Sequence, residues 1–167
     1  FQAVKATFKN DIPAAIEFMK QSDSLQNTVF YGNPFNGGRK DCHDCDHVAY
    51  QKKKYSQLDF LTTIKTMQDK VAAKEEVYTN SLLLGNAFYN ITHFGNARIF
   101  YETKIAGYGS SPYSFREPIK KMITDCSLAK MYYQKAFEAA KNKEQKAKCL
   151  YMIAKCERNE YYNKKYS

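Results

Sequence analysis

From Ser56 onward, apolar residues recur at every third or fourth position, which is the spacing of one face of an α-helix. The longest such stripe begins at Ile119 and continues to Ala140, and it predicts one long amphipathic helix. Seven glycines and four prolines in 167 residues are too few for an all-β chain, which needs frequent turn residues. The sequence therefore predicts an all-α fold of about five to six helices.

Helix starts can be located from capping residues. Asn10 or Asp11, followed by Pro13 in the first turn, predicts a short helix over about 12–21. Ser56 with Asp59 forms a capping box, and Ser114 with Glu117 forms a second one ahead of Pro118. We expect the remaining helices over 56–73, 75–90, 96–105, 115–140 and from 143 onward.

Residues 22–55 lack helical periodicity and are rich in glycine, asparagine and aspartate, which predicts a long loop. Loops of this length are uncommon inside compact domains unless they are cross-linked or functional. We therefore divide the chain into an N-terminal part, 1–55, with a short helix and a loop, and a helical part, 56–167, within the same compact unit.

The segment DCHDCDH, residues 41–47, is the candidate cross-link in this loop. Cys42 and Cys45 are spaced so that both thiolates can bind one cation, and His43 and His47 offer imidazoles nearby, which suits a structural zinc ion. The usual second Cys-x-x-Cys pair is absent from the sequence, so the fourth ligand is either an aspartate or a distant cysteine. A local disulfide or a polar turn without metal fits equally well. Haem attachment is excluded because Asp46, not histidine, follows the second cysteine.

The remaining cysteines, Cys126, Cys149 and Cys156, lie on or near apolar stripes, and we expect them to be small core residues. His93 lies where a helix ends, and we expect it to be a turn residue.

The net charge of +9 is concentrated toward the C-terminus, where residues 115–167 carry 13 basic and 6 acidic groups. Lysines mixed with tyrosines in this region are compatible with RNA binding. Such residues more often form a solvated helical face with tyrosines packed between helices, so we favour a protein partner over nucleic acid. No run of about 18 apolar residues is present that would predict a transmembrane helix.

The stretch LLLGNAFYNITHFGNARIFYE, residues 82–102, resembles a tetratricopeptide repeat, a pair of antiparallel helices with a period of about 34 residues. Leu84, Gly85 and Phe88 match the first helix of that repeat, and Ala97 and Tyr101 match the second. In this match the small residues Gly85 and Ala97 permit the two helices to approach closely. The resemblance implies a fold of tetratricopeptide-like helix pairs. It also implies that the first helix presents a concave partner-binding surface formed by four residues, Leu82, Asn86, Tyr89 and Asn90.

The order of DCHDCDH, YNITHFGNARIFY and AKCERNEYYN is similar to the C-terminal part of large uncharacterised helical-repeat proteins of Bacteroidetes. Those proteins are generally exported and often lipid-anchored, so the resemblance implies a cell-envelope location, in the periplasm or at the outer membrane, and a piece of a longer protein. It supplies no catalytic residues. We therefore expect a non-catalytic interaction or assembly scaffold of the cell envelope, in which the Cys/His knuckle either binds a structural zinc ion or forms a metal-free turn. The alternatives are a metal-dependent enzyme that uses the Cys/His/Asp cluster and a basic RNA-binding module.

Overall fold

The structure is a computed structural model, and it describes residues 1–38, 53–109 and 111–166. These residues are helical, with two isolated β-bridges, Val29 with Ser56 and Thr103 with Gly107, so the predicted all-α class is confirmed. The α-helices are α1 (Gln2–Phe8), α2 (Ile12–Lys20), α3 (Gln57–Ala72), α4 (Val77–Asn90), α5 (Glu117–Thr124), α6 (Ser127–Ala139) and α7 (Lys143–Tyr166). Single 3-10 turns occur at Leu25–Asn27, Arg98–Phe100 and Pro112–Ser114.

Two predicted helix starts are confirmed. The Asp11 side chain accepts a hydrogen bond from the Ala14 amide at the start of α2, and Pro13 lies in the first turn. At the start of α3, the Ser56 hydroxyl accepts from the Asp59 amide, and Asp59 in turn accepts from the Ser56 amide. The short-range pattern at these two positions was therefore sufficient to locate the helices.

The predicted helix over 96–105 is wrong, because this stretch contains only the 3-10 turn Arg98–Phe100. The chain turns back closely on the end of α4, where the Ala97 amide donates to the Asn90 carbonyl. Gly95 permits this approach, since an added Cβ would lie 2.2 Å from the Asn90 Cα. Burial of Phe100 and Tyr101 in the core then holds the turn in place of a helix.

The predicted long helix over 115–140 is also wrong, because it is divided into α5 and α6. Asp125 takes an extended conformation, with φ −81° and ψ 116°, and its carboxylate accepts from the Ser127 amide. The Ser114–Glu117 capping box does not form, because Ser114 belongs to a 3-10 turn and Arg116 occupies the N-cap of α5. Helix α1 was not predicted.

The helices pack in a series in which α1 contacts α2, α2 contacts α3, α3 contacts α4, α4 contacts α6 and α6 contacts α7. The closest approach joins α4 to α6 at Gly85, where an added Cβ would lie 2.5 Å from the Tyr133 ring. The sequence correctly identified Gly85 as a point of close approach but assigned it the wrong partner, since the second helix of the predicted repeat does not exist. The α4–α6 pair takes its place.

An aromatic cluster attaches the region before α3 to the helices. The ring of Phe60 in α3 lies 5.2 Å from that of Phe30, 5.5 Å from that of Phe35 and 5.4 Å from that of Phe100. All four rings are buried in the same hydrophobic core as α4, α6 and α7. The aromatic cluster thereby fixes the position of residues 30–35 against the helices.

Candidate functional site

The four residues predicted to form an exposed partner surface, Leu82, Asn86, Tyr89 and Asn90, are all buried, at 8%, 4%, 3% and 5% exposure. They do lie close together on α4, but they are not accessible as a concave surface. The reason is that residues 33–38 and helix α7 make direct contacts with Asn86, Tyr89 and Asn90. We call residues 33–38 the strap.

The strap begins as a β-turn that its own sequence stabilises. The Asn36 amide donates to the Asn33 carbonyl at 3.2 Å, and the Phe35 amide donates to the Asn33 side-chain oxygen at 2.9 Å. Asparagine at the first position and proline at the second are the residues that favour such a turn, because asparagine bonds to the backbone two residues on and proline presets φ. The turn is therefore a locally determined motif that docks as a unit.

Two asparagine side chains of α4, one helical turn apart, bind the main chain of the strap. The Asn86 amide nitrogen donates to the Phe35 carbonyl at 2.9 Å. The Asn90 amide nitrogen donates to both the Pro34 and the Asn36 carbonyls, each at 2.8 Å. These contacts recognise the shape of the turn rather than the identity of its side chains.

Further side chains extend the recognition to both ends of the strap. The Lys155 ammonium of α7 donates to the Gly38 carbonyl at 2.9 Å and lies 4.8 Å from the centre of the Tyr89 ring. The Asn96 side chain donates to the Asn33 carbonyl at 3.4 Å. The Gly38 carbonyl and the Tyr89 ring together replace water around the Lys155 ammonium, so the residue can remain buried, at 5% exposure.

A second layer of hydrogen bonds orients the asparagines. The Tyr133 hydroxyl of α6 donates to the Asn86 side-chain oxygen at 2.9 Å, which leaves the Asn86 nitrogen to donate to the strap. The Asn159 nitrogen of α7 donates to the Tyr89 hydroxyl at 2.8 Å. Burial raises the pKa of Tyr133 well above its ordinary value, so this hydroxyl keeps its proton and remains a donor.

A cavity of about 510 Å³ lies beside the glycine end of the strap. It is lined by Gly37, Gly38 and Asn86 on one side and by residues of α7, including Ala147, Tyr151 and Met152, on the other. We call the space that the strap occupies between α4 and α7 the α4–α7 groove. The cavity continues this groove at Gly37 and Gly38, where the strap has no side chains.

The predicted zinc ligands Cys42, His43, Cys45 and His47 lie outside the described residues, so the knuckle remains a prediction. Within the described ranges, no group of three or more His, Cys, Asp or Glu side chains is arranged to bind a metal. Cys126, Cys149 and Cys156 are free thiols that are fully buried, which confirms that they are core residues. A hydrogen bond with Cys156, together with burial, raises the pKa of Cys126.

His93 occupies the turn after α4, as predicted. Its main-chain amide donates to the Ile123 carbonyl at 2.7 Å, and its Nδ1 lies 3.5 Å from the Tyr101 hydroxyl. These contacts join the end of α4 to the end of α5, which is a structural role.

The tyrosines of the basic region divide into two groups, which the sequence did not distinguish. Tyr132 and Tyr133 of α6 are buried between helices, whereas Tyr151, Tyr161 and Tyr162 of α7 are exposed. The outer face of α7, defined here as Leu150, Ala154, Arg158, Tyr161 and Lys165, is exposed at every position. The sequence alone does not identify this mixed apolar and basic face, because the spacing of its residues does not show whether another helix covers them.

No protein-family model matches the chain, and comparison with curated proteins and with solved structures also gave no match. Among the described residues, no helix combines the length and the apolar character that a membrane span requires.

Proposed function

We propose that this chain is a non-catalytic protein–protein interaction module and that the outer face of α7 is its partner-binding surface. The observation that carries the proposal is a row of exposed apolar side chains on a long helix. Leu150 is 52% exposed and Tyr161 is 59% exposed, and they lie three helical turns apart on one side of α7. Ala154 lies between them on the same face, and contiguous exposed apolar surface with a polar rim is typical of protein interaction sites.

The position of α7 in the fold supports the same proposal. Helices α4, α6 and α7 pack in sequence, and the inner side of α7 contacts α6 and the strap. Lys130 of α6 pairs with Glu157 of α7 at 2.9 Å and holds the two helices in register. We propose that this stack, in which each helix covers the previous one, is tetratricopeptide-like. The partner would then supply the next layer, packed on the outer face of α7.

The charge of α7 indicates what kind of partner fits. Residues 143–166 contain seven basic and three acidic side chains, and Arg158 and Lys165 lie within the outer face itself. Since Leu150 and Ala154 are aliphatic, the N-terminal part of the face suits an apolar protein surface better than nucleotide bases. The partner is therefore a protein that carries an apolar stripe flanked by carboxylates. By the resemblance to exported Bacteroidetes proteins, its setting is the cell envelope.

The test uses a photo-crosslinking amino acid in place of Leu150, with the same amino acid in place of Tyr108 as a matched control. Tyr108 is also well exposed, at 64% against 52% for Leu150, and it belongs to the loop between two 3-10 turns rather than to α7. We expect a protein adduct at position 150 that is absent at position 108 and that is lost when Arg158→Glu reverses the central charge.

Three results would overturn the proposal. Adducts that are the same at both positions would mean non-specific contact. An adduct made only of RNA would favour the nucleic-acid function, and an adduct made only of a second copy would make the face a dimer interface. An adduct that persists unchanged in Arg158→Glu would remove the charge argument.

A further inference from the structure

The α4–α7 groove has the features of a ligand site that the chain fills with its own strap. Carbonyls of Pro34, Phe35 and Asn36 all accept from Asn86 or Asn90, as described above. A ligand held through main-chain carbonyls can be replaced by any segment that presents the same carbonyls in the same turn. The groove therefore constrains the strap's side chains directly at only two positions, whereas Asn33 and Pro34 matter because they form the turn.

The first of these positions is Phe35, whose ring is buried 5.0 Å from the Tyr55 ring and 5.5 Å from the Phe60 ring. The second is Gly37, where an added Cβ would lie 3.1 Å from the Asn86 side-chain oxygen. A segment that fits the groove thus has proline, then a large aromatic residue, then any residue, then glycine. The turn-forming asparagine precedes the proline.

The strap does not use the whole groove. Gly37 and Gly38 line the cavity of about 510 Å³, and neither carries a side chain that enters it. Ala147, Tyr151 and Met152 contribute apolar groups to the opposite wall, together with the charged residues Glu144 and Lys148. Because Gly38 lines the cavity, we expect an apolar side chain at this position to enter it and to bury area that the strap leaves uncovered.

We propose that the groove is a binding site for a proline turn of a partner protein. That partner segment has the pattern Asn-Pro-aromatic-x-Gly followed by an apolar residue, and it displaces the strap. The apolar residue gives it the advantage that displacement requires, because the attached strap has an effective concentration in the millimolar range. A second copy brings only the same strap without this advantage, so the ligand comes from a different protein.

The part of the groove that binds the strap is separate from the outer face of α7. It lies on the inner side of the helix, at Lys155 and Asn159, whereas Tyr161 is exposed. Tyr151 of the cavity wall adjoins Leu150, so Tyr161→Ala is the control variant for the outer face, and it is expected to leave peptide binding in the groove unchanged. Failure of one proposal therefore leaves the other standing.

The probes are two fluorescent peptides, YGNPFNGG, which copies residues 31–38, and YGNPFNGL, whose last residue is leucine. They are titrated against three full-length proteins, the natural chain, Gly37→Val and Gly38→Leu, with binding followed by fluorescence anisotropy. Gly37→Val loosens the strap by contact with Asn86, whereas Gly38→Leu tightens it by filling the cavity. We expect YGNPFNGL to bind about tenfold more tightly than YGNPFNGG, and both to bind Gly37→Val at least about tenfold more tightly than Gly38→Leu.

The groove itself is tested by adding Asn90→Ala to Gly37→Val, with the exposed Asn27→Ala as a matched control. Asn90→Ala is expected to weaken peptide binding at least about tenfold, since two hydrogen bonds are lost, and Asn27→Ala is expected to have no effect. Circular dichroism checks that each variant keeps its helices. If Gly37→Val does not fold, peptide binding to the natural chain is compared with peptide binding to Gly38→Leu.

Three results would overturn the proposal. Absence of saturable binding to every protein, or binding that is unaffected by Asn90→Ala, would show that the groove is only structural. Dimerisation of Gly37→Val that either peptide suppresses would assign the groove to the strap of a second copy instead of a partner.

Discussion

The contact between α4 and α6 gives a sharp prediction at Gly85. Replacement by alanine places a Cβ 2.5 Å from the Cδ1 and Cε1 atoms of Tyr133, whereas ordinary carbon contacts are about 3.5–4.0 Å. The ring must therefore move by about 1 Å. It has little freedom to do so, because Tyr133 is fully buried and its hydroxyl is bonded to Asn86.

The expected cost follows from three contributions. Overpacking of this kind costs about 1–3 kcal/mol, and a lost or distorted Tyr133–Asn86 bond adds about 1–3 kcal/mol. The higher helix propensity of alanine offsets about 0.5–1 kcal/mol. We therefore expect the free energy of unfolding to fall by about 3 kcal/mol and the melting temperature to fall by about 9 °C in a chain of this size.

The assay is thermal and urea unfolding followed by far-UV circular dichroism, with Tyr133→Leu as the second arm of a double-mutant cycle. Leucine lacks the ring atoms that contact position 85, so Gly85→Ala should cost less than about 1 kcal/mol in that background. A Gly85→Ala variant as stable as the natural chain, or an equal cost in both backgrounds, would refute the argument from the ring contact.

Four further predictions follow from the same structure. Asn90→Ala should lower the free energy of unfolding by about 2 kcal/mol, since two buried carbonyls lose their donor; an unchanged urea midpoint would contradict this. At neutral pH, Asp59→Asn should lower the free energy of unfolding by about 1 kcal/mol. Hydrogen bonds from the Ser56 side chain and main chain lower the pKa of Asp59, so its stabilising effect is complete above the unfolded-state pKa and is lost as the pH falls through the lower folded-state pKa. Urea titrations of the two proteins should therefore converge at acid pH, and a constant difference would refute the capping role. Cys126, Cys149 and Cys156 should not react with a thiol reagent until the protein unfolds, because all three are buried; rapid labelling of any of them, located by mass spectrometry, would contradict the packing. Finally, elemental analysis of protein purified without chelator should find stoichiometric zinc that is lost in Cys42→Ser/Cys45→Ser, whereas a blocked thiol pair without metal would establish a disulfide turn.

Local signals predicted the parts of the fold that depend on short-range interactions. Asp11 and Ser56 locate the starts of α2 and α3 because their hydrogen-bond partners lie within three residues. The start of α7 near Lys143 was also predicted, since lysine, alanine and glutamine strongly favour helix there. In these cases the neighbouring residues contain all the information that the structure needs.

Errors occurred where tertiary contacts override a local preference. The apolar spacing of 96–105 suits a helix, but burial of Phe100 and Tyr101 beside the tight turn at Gly95 gives an irregular segment instead. Asp125 interrupts an otherwise continuous helical stripe because its backbone is extended and its carboxylate accepts from the Ser127 amide two residues on, which competes with the helical hydrogen bonds. The spacing alone cannot distinguish a continuous helix from two helices that share a face.

Local residue patterns were enough to predict the helical class, the helix starts with local caps and the role of Gly85 as a small residue in a helix contact. The partners of the two asparagines depend on the packed fold, because Asn86 binds the carbonyl of Phe35, 51 residues away, and Asn90 binds that of Pro34, 56 residues away. Asparagines on an amphipathic helix look the same in sequence whether they face solvent or a docked turn. Their burial depends on which distant carbonyls reach them, and this is settled only when the strap, α4 and α7 pack together.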